Sequence, residues 1–385
     1  LVETQRLVDD FPDELEFRCQ LAEVHTDLGN FHWEARHRQE SEVYLREAVR
    51  IWDELIAEHP EFADTANEAH SRQWLGGMLM RTSRDDEAES ELLFANRVYE
   101  LNLREQPDNA QLRGWLAQNR AYLGQLYFKT GDFARSSWYR KAATELRETL
   151  AQDFPDVYEH KRRLSICYEE LVVALCQECR FDDAEALLLK QAALRKEILQ
   201  KYPQIPRSPG STAWPAYNFA EALYDAGRTQ DARRHFANAI RQFDEDAEEF
   251  ADRFKPHHWV SWVHTTCPFR DLCDPGRALL HAQRGLEFEP NNQDAVCVLG
   301  IAQFRCGDHH AAEKTLLHTV AVCDNDSYAA AQYVLAMIRA EQGAQDEARQ
   351  RFHNAATWRT QRKAGDFYLV RLHHEAADRL QINAD

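Results

Sequence analysis

The sequence has no apolar run of the roughly 18 residues that a membrane-spanning helix requires, and no secretory signal peptide is visible among its 385 residues. It also has fewer basic than acidic residues, with 46 Lys and Arg residues and 64 Asp and Glu residues, which give a net charge of -18. Affinity for a phosphate backbone comes largely from clustered Lys and Arg, so this balance argues against nucleic acid as a ligand. We therefore expect a cytoplasmic protein with no membrane span in this chain.

Familiar catalytic motifs are missing as well. The chain has no Gly-x-Ser-x-Gly nucleophile elbow, no His-Glu-x-x-His metal motif, no Walker phosphate loop and no dinucleotide-binding fingerprint. Each of these motifs supplies a nucleophile, a metal ligand or a phosphate cradle on which its reaction depends. We therefore predict no enzymatic activity and no cofactor for this chain.

The nine cysteines do not suggest a disulfide framework, because their number is odd and their spacing is scattered. Residues 257–281 nevertheless concentrate His and Cys side chains, and an alternative hypothesis is a small metal- or thiol-dependent enzyme with His264, Cys267 and Cys273 as candidate ligands. Packing is the favoured role for Cys267, since no Cys-x-x-Cys pair supplies a rigid half-site here. The cluster consists of His257, His258, His264, Cys267, Cys273 and His281.

Prolines recur at nearly equal intervals in the first half of the chain, at steps of 48, 47, 48 and 48 residues. Each follows a charged amphipathic run typical of a helix, and proline cannot continue a helix. A fixed period in this range is typical of a solenoid built from repeats. The prolines are Pro12, Pro60, Pro107, Pro155 and Pro203.

A second pattern recurs inside these periods and continues after them. A large apolar residue precedes a small one, Gly follows seven residues after the small residue in four repeats, and Ala follows twelve residues after it in most. The Gly position predicts a turn that needs positive φ, and the small positions predict a close crossing of two helices. The opening pairs are Leu21-Ala22, Leu75-Gly76, Leu123-Gly124, Phe219-Ala220, Leu299-Gly300 and Leu335-Ala336.

Two repeats depart from this pattern. In the first, Gly29-Asn30 comes early and an Arg/His/Glu-rich insert precedes Ser41. In the sixth, Thr265-Thr266 stands where the apolar residue and the small residue belong. We expect the geometry of these two repeats to differ from that of the others.

The stretch Leu123-Gly124-Gln125-Leu126-Tyr127, followed by Gly131-Asp132-Phe133, resembles the tetratricopeptide repeat, a helix-turn-helix unit. The resemblance implies an all-α, right-handed superhelical solenoid of about eight such repeats, with a C-terminal capping helix after about Lys363. Leu1 is then expected in the second helix of a truncated repeat. First helices are expected near residues 22, 76, 124, 172, 220, 266, 300 and 336, and the last three repeats are expected to start at residues 259, 293 and 329.

The repeat length predicts how the chain is organised. We expect long repeats of about 48 residues over 1–203, a Pro-rich connector over 204–215, shorter repeats over 216–360 and the capping helix over 361–385. The connector is the part of the chain rich enough in Pro and Gly to interrupt the array. A hinge there is our expectation, with a rigid extended connector as the alternative.

A narrower resemblance concerns the segment 259–290, which contains Trp262, Cys267-Pro268 and Asp274-Pro275-Gly276-Arg277-Ala278. It resembles the repeat-rich C-terminal region of planctomycete serine/threonine protein kinases of the Hanks type. The resemblance implies a bacterial recruitment or regulatory region of a larger kinase. The kinase motifs themselves are absent from this chain.

The resemblance also implies that this chain is a scaffold for protein–protein interaction. First helices of such repeats line a concave groove, and exposed side chains on them select a protein or peptide partner. The sequence leaves the oligomeric state open. The expected groove residues are Gln118, Tyr122, Gln125, Lys129, Glu169, Glu170, Trp214, Tyr217, Asn218 and Glu221.

The charge of these positions bears on the kind of ligand. Many tetratricopeptide domains that hold a C-terminal carboxylate use Lys and Asn at set positions of their first helices. The matching positions here carry no Lys or Arg, and an acid such as Glu170 would repel a carboxylate. We therefore expect a neutral or basic peptide rather than an acidic C-terminus.

Overall fold

The computed structural model describes residues 1–362 and 367–382, and within them the chain is all-α, with eighteen α-helices, two short 3-10 helices and no strand. The helices are α1 (Val2–Asp10), α2 (Leu15–Glu34), α3 (Arg38–Glu58), α4 (Ala66–Arg81), α5 (Asp85–Glu105), α6 (Ala110–Lys129), α7 (Phe133–Asp153), α8 (Tyr158–Gln177), α9 (Phe181–Lys201), α10 (Ala213–Asp225), α11 (Thr229–Glu249), α12 (Phe254–Thr266), α13 (Pro275–Phe288), α14 (Gln293–Arg305), α15 (His309–Val322), α16 (Asp326–Glu341), α17 (Gln345–Arg362) and α18 (Phe367–Leu380). None of these helices is long and apolar enough to cross a membrane.

The chain divides into two compact units, Leu1–Gln204 and a second that begins at Ile205. Within each unit, consecutive helices pack as pairs, from α2 with α3 to α16 with α17. Eight pairs result, preceded by α1 and followed by α18, so the predicted all-α array of eight repeats with a terminal helix is confirmed. Of the predicted capping segment, residues 363–366 and 383–385 lie outside the described residues.

The regularly spaced prolines end helices, as predicted. Each lies two residues beyond the last residue of α1, α3, α5, α7 or α9. The residue before each proline leaves the helical conformation, as His59 does with φ -136° and ψ 81° before Pro60. The cause is the proline ring, which crowds the preceding residue out of the α region.

The turn inside each pair also follows the prediction. Gly131, Gly227, Gly307 and Gly343 all have φ between +75° and +83°. The same turn in three other repeats is made by Arg36, Ser83 and Cys179, with φ of 65°, 63° and 58°. The turn therefore requires a left-handed residue, and side chains other than Gly adopt it at some cost.

The register predicted for the first repeat is wrong by seven residues. The residue equivalent to Gly76 and Gly124 is Gly29, because a Cβ at Gly29 would lie 2.5 Å from Leu45 Cγ, as one at Gly76 would lie 2.7 Å from Leu92 Cγ. Helix α2 continues to Glu34, so there is no insert before Ser41. The early Gly29 is therefore the small residue of the crossing, and the turn follows it at the usual distance.

The sixth repeat differs for a different reason. Its first helix, α12, begins at Phe254 rather than near residue 259, and Thr266 is its last residue rather than its centre. Pro268 cannot donate a backbone hydrogen bond and disfavours helix in the residue before it, so α12 ends about a turn earlier than the other first helices. The freed segment forms a 3-10 turn at Arg270–Leu272.

The Pro-rich connector is shorter than the predicted 204–215. Helix α10 begins at Ala213, so Trp214 and Pro215 lie in its first turn, where a missing backbone N–H costs no helical hydrogen bond. Before it, Asp246 of α11 accepts hydrogen bonds from the Arg207 side chain and the Gly210 backbone N–H. This end of the connector is therefore fixed to the second unit.

We expect the corrected register to show in stability. Replacing Gly29 by Ala places a Cβ against Leu45 and should lower the free energy of unfolding by about 1–3 kcal/mol. The matched control is Gly114→Ala in α6, where the nearest atom to a new Cβ is 3.9 Å away and removal of a helical glycine should stabilise by about 0.5–1 kcal/mol. Chemical denaturation of both variants tests this, and a neutral Gly29→Ala would contradict the register.

Candidate functional site

The first helices form one face of each unit. Within the first unit α2 contacts α4 and α4 contacts α6, and within the second α12 contacts α14 and α14 contacts α16. Second helices of neighbouring repeats make no comparable contact within the described residues. The first helices are therefore on the tighter, concave side of each unit, which we call the inner face.

On the inner face of the first unit, several predicted groove residues are already bound. Lys129 Nζ donates to Asp85 Oδ1 at 2.7 Å and to the Met80 carbonyl at 3.1 Å, which ties α6 to the preceding repeat. Gln118 Oε1 accepts from Arg163 at 2.8 Å, whereas Gln125 is exposed. Gln125 is thus freer to meet a partner than Lys129.

Tyr122 belongs to an aromatic row across three first helices. The exposed guanidinium of Arg81 on α4 lies 5.0 Å from the Tyr122 ring centre and 5.6 Å from that of Trp33 on α2. Its Nη1 also donates to the Gly77 carbonyl at 3.0 Å. Cation–π stacking of this kind orders the cation between the buried Tyr122 ring and the half-buried Trp33 ring. Sequence analysis missed Arg81, because it lies at none of the first-helix positions that hold a C-terminal carboxylate in other tetratricopeptide domains.

Glu169 and Glu170 have different surroundings. Glu169 Oε2 accepts from Arg195 at 3.1 Å and from Gln191 at 3.3 Å, so α9 holds it. No described residue donates a hydrogen bond to the Glu170 carboxylate. Burial raises the pKa of Glu170, and the positive charge of Arg140 opposes that rise. A partly buried carboxyl without a hydrogen-bond donor would gain most from a cationic ligand.

Helix α18 crosses part of the inner face of the second unit. Arg371 Nε donates to the Thr266 carbonyl at 3.1 Å, and its guanidinium binds both carboxylate oxygens of Glu221, one of them at 3.0 Å. Its Nη2 also lies 3.4 Å from Tyr217 Oη. Glu221 is almost completely buried. The ion pair joins α18 to the first helix of the fifth repeat.

A second polar contact on α18 lies one turn further along the helix. Glu375 accepts from Arg305 Nη2 at 2.6 Å and from Arg270 Nη2 at 2.9 Å. The opposite side of α18 is apolar and packs in the core of the last repeats. α18 therefore caps the array with one side and reaches back across the inner face with the other. The buried apolar residues of α18 are Leu369, Leu372, Ala376, Ala377 and Leu380.

This placement changes the role of the groove residues predicted in the second unit. Tyr217 and Glu221 bind Arg371, and Trp214 stands in an aromatic cluster with Trp259 and Trp262. Asn218 alone of the four is exposed. The sequence does contain a signal for this placement of α18. Arg371 and Glu375 are four residues apart and so lie on one side of a helix whose other side is apolar.

Two cavities flank α18. One, of about 830 Å³, is lined by Trp262, Asp294, Ser327, Trp358 and Tyr368 among others. The second, of about 810 Å³, lies along the other side of α18 and includes the Arg371 and Glu375 contacts. Asp324 and Asp326 line this cavity as well, and Asp294 accepts from Ser327 at 2.7 Å while Asp324 accepts from Trp358 Nε1 at 3.1 Å. The first cavity therefore combines aromatic rings with carboxylates.

The histidines of the His and Cys cluster make hydrogen bonds within the fold. His257 Nε2 binds the Ala251 carbonyl at 2.9 Å, so its Nδ1 accepts from His281 Nδ1 at 2.9 Å. His264 Nδ1 accepts from the Asp274 backbone N–H at 3.1 Å, which directs its Nε2 to Asp244. Within the described residues, no three His, Cys, Asp or Glu side chains converge on a metal position. The metal-enzyme alternative therefore gains no support from the geometry.

A partly buried histidine should make the fold sensitive to acid. Burial lowers the pKa of His70 to about 4, and His70 accepts from Trp74 Nε1 at 3.1 Å while stacking on Trp115. Folded His70 binds a proton less readily than unfolded His70, so its contribution is complete above pH 6.5 and is lost as pH falls toward 4. We expect about 2 kcal/mol of stability to be lost from this residue between pH 7 and pH 5.

The variant His70→Phe keeps the ring and removes the titration. Its free energy of unfolding should change less between pH 7 and pH 5 than that of the native chain, by about the same 2 kcal/mol. The exposed His353→Phe is the control and should keep the native pH dependence. Equal pH dependence in His70→Phe and the native chain would contradict the assignment.

The ion pair that holds α18 gives a further prediction. Arg371→Ala leaves Glu221 buried without its partner and should destabilise the second unit by about 3 kcal/mol. Hydrogen exchange in α18 should accelerate in parallel. The control is Arg349→Ala on the exposed side of α17, expected to change stability by less than about 0.5 kcal/mol. Unchanged exchange in α18 of Arg371→Ala would show that Arg371 does not hold the helix.

Comparison with known proteins agrees with the fold. Residues 22–61, which span α3 and most of α2, match the tetratricopeptide repeat. No curated protein matches the chain. The chain is similar to the TPR-like repeats of a kinesin light chain from Podosopora anserina, with 17% identity, a TM-score of 0.41 and coverage of 60% of this chain and 97% of that one.

Two other solved structures cover more of the chain. A signal transduction ATPase with a tetratricopeptide repeat sensor from Pyrococcus horikoshii is 11% identical over 82% of this chain and 44% of its own, with a TM-score of 0.49. A tetratricopeptide repeat protein from Parabacteroides merdae is 12% identical over 93% of this chain and 99% of its own, with a TM-score of 0.38. The assignment of the fold rests on the helix pairs and on the matched repeat.

Proposed function

We propose that this chain is a non-catalytic scaffold that binds a protein or peptide on the inner face of its first unit. The observation that supports this proposal is a difference between the two units. In the second unit, Arg371 and Glu375 of α18 bind groups on the first helices. Among the described residues of the first unit, no additional helix binds α2, α4, α6 or α8 in this way. We therefore assign the partner to the inner face of the first unit.

The chemistry of this face suits an extended peptide. The half-buried ring of Trp33 beside the exposed Arg81 offers flat apolar area, and the exposed amide of Gln125 can bond a peptide backbone. Ile166 on α8 adds an exposed apolar side chain. An apolar surface with a few polar groups of this kind fixes a peptide while tolerating sequence variation.

Charge favours a neutral or basic peptide. Glu170 is the partly buried acid without a hydrogen-bond donor, and a Lys or Arg of the ligand would supply one. Arg81 brings positive charge to the same face, but its guanidinium is stacked on two rings and bonded to the Gly77 carbonyl. The preference for a basic ligand therefore depends on Glu170.

A pair of peptides tests this preference. We expect a peptide in which lysines replace the acids of a Glu-Glu-Val-Asp terminus to bind at least about tenfold more tightly than the acidic peptide. Fluorescence anisotropy with labelled peptides measures both affinities. Micromolar binding of the acidic peptide together with weak binding of the basic one would contradict the proposal.

Matched variants locate the site. Glu170→Gln removes the charge with little change of shape and should weaken the basic peptide about fivefold to tenfold, in line with loss of one partly buried ion pair. Glu145→Gln on the exposed surface of α7 removes the same charge elsewhere and should leave the affinity unchanged. Equal losses in both variants would indicate long-range electrostatics rather than a contact at Glu170.

A place in a larger serine/threonine protein kinase is a separate proposal. Its support is the resemblance of residues 259–290 to the C-terminal region of planctomycete kinases. In that setting the scaffold would recruit substrates or regulators to the catalytic domain. The coding sequence upstream of Leu1 tests it, and a reading frame without kinase motifs would overturn it.

A further inference from the structure

The loop between α12 and α13 holds two thiols around one peptide group. Cys273 Sγ lies 3.4 Å from the Phe269 carbonyl oxygen, and Cys267 Sγ lies 3.9 Å from the same oxygen. Cys273 Sγ is also 3.8 Å from the Cys267 carbonyl oxygen. Both cysteines are free. Two sulfur atoms six residues apart are therefore held on the same side of a tight loop.

The backbone explains why the sulfurs meet. Pro268 ends α12, and the 3-10 turn at Arg270–Leu272 brings the chain back toward the end of that helix. Leu272 N–H donates to the Phe269 carbonyl at 3.0 Å and Cys273 N–H to the Arg270 carbonyl at 3.2 Å. These bonds fix the backbone that carries both cysteines close to the Phe269 carbonyl.

The two thiols differ in environment. Cys267 is fully buried, whereas Cys273 is half-buried. Interaction with Cys267 lowers the pKa of Cys273, burial opposes this, and the nearby charges of Arg270 and His264 lower the pKa further. Reactive thiols are accessible ones, and of the two sulfurs only that of Cys273 is partly exposed. Cys273 is therefore the attacking thiol, and the buried Cys267 beside it is the resolving thiol.

We propose that Cys267 and Cys273 form a peroxide-sensitive pair that closes reversibly into a disulfide. The Cys273 thiolate attacks hydrogen peroxide, its S–O bond forms as the O–O bond breaks, and the departing hydroxide takes a proton to become water. The Cys267 sulfur, losing its proton, then attacks Cys273 Sγ and displaces the second hydroxide, which also becomes water. Two thiols and one peroxide therefore give one disulfide and two waters.

The loop that carries Cys267 and Cys273 also anchors α18, so a disulfide between the two cysteines would affect α18. The Thr266 carbonyl, next to Cys267, accepts from Arg371, and Arg270, inside the loop, donates to Glu375. Closing the disulfide draws the two sulfurs off the Phe269 carbonyl and displaces the backbone between these two anchors. Oxidation thus loosens α18 and uncovers the inner face of the second unit. This inference is independent of peptide binding to the first unit.

Mass spectrometry of the full chain tests the pair. After brief treatment of the reduced protein with hydrogen peroxide, we expect a loss of two hydrogens that dithiothreitol restores. Trypsin cleaves after Arg270, between the two cysteines, so the disulfide should appear as two peptides joined through Cys267 and Cys273. This link should form at least tenfold faster than any oxidation of the exposed Cys179 and Cys306. Links to other cysteines in place of this one would overturn the proposal.

Two variants separate the roles of the thiols. Cys267→Ser should leave Cys273 as a sulfenic acid that dimedone labels, whereas Cys273→Ser should leave Cys267 unlabelled. Cys306→Ser is the control and should form the link between Cys267 and Cys273 as the native chain does.

Hydrogen exchange tests the effect of the disulfide on α18. Exchange in α18 should be faster in the oxidised chain than in the reduced chain, and peroxide should not change this exchange in Cys273→Ser. Labelling of Cys267 in Cys273→Ser, or equal exchange in the oxidised and reduced native chain, would overturn the assignment.

Discussion

Close contact between the two helices of each pair is the constraint on which the array depends. At four crossings the small residue is Gly, and a Cβ there would meet the side chain sixteen residues later at 2.5–2.7 Å, as at Gly29 with Leu45 and Gly300 with Leu316. Pairs packed this closely bury their apolar sides on each other and on the next repeat. Side chains that this pairing leaves exposed on the inner face can make other contacts.

The second unit uses its inner face internally. Arg371 and Glu375 on α18 bond to groups from α10, α12 and α14, which are far apart in sequence. A buried ion pair adds little net stability over an apolar contact, but it penalises every arrangement in which one partner is left unpaired. The pair of Arg371 with Glu221 therefore specifies where α18 lies more than it strengthens the fold.

Local rules account for what sequence analysis predicted correctly. Prolines after helix ends, positive-φ turns and alternating small and large residues act over a few residues, so the eight pairs could be derived. The errors arose where two signals competed. Ala22 was taken as the small residue although Gly29 has that role, and the Thr265-Thr266 pair concealed that Pro268 ends α12 early. In both places only the contact across the helix pair distinguishes the alternatives.

The sequence by itself determined the all-α class, the repeat count and the terminal helix, because helix periodicity, caps and turn residues are local properties of the chain. The tertiary structure alone decided that α18 lies over the second inner face, that Glu221 is paired with a residue 150 positions away, and that Cys267 and Cys273 share one carbonyl. Such contacts join residues whose separation in the chain carries no periodic signal. Their partners are selected by burial and charge once the helices are packed.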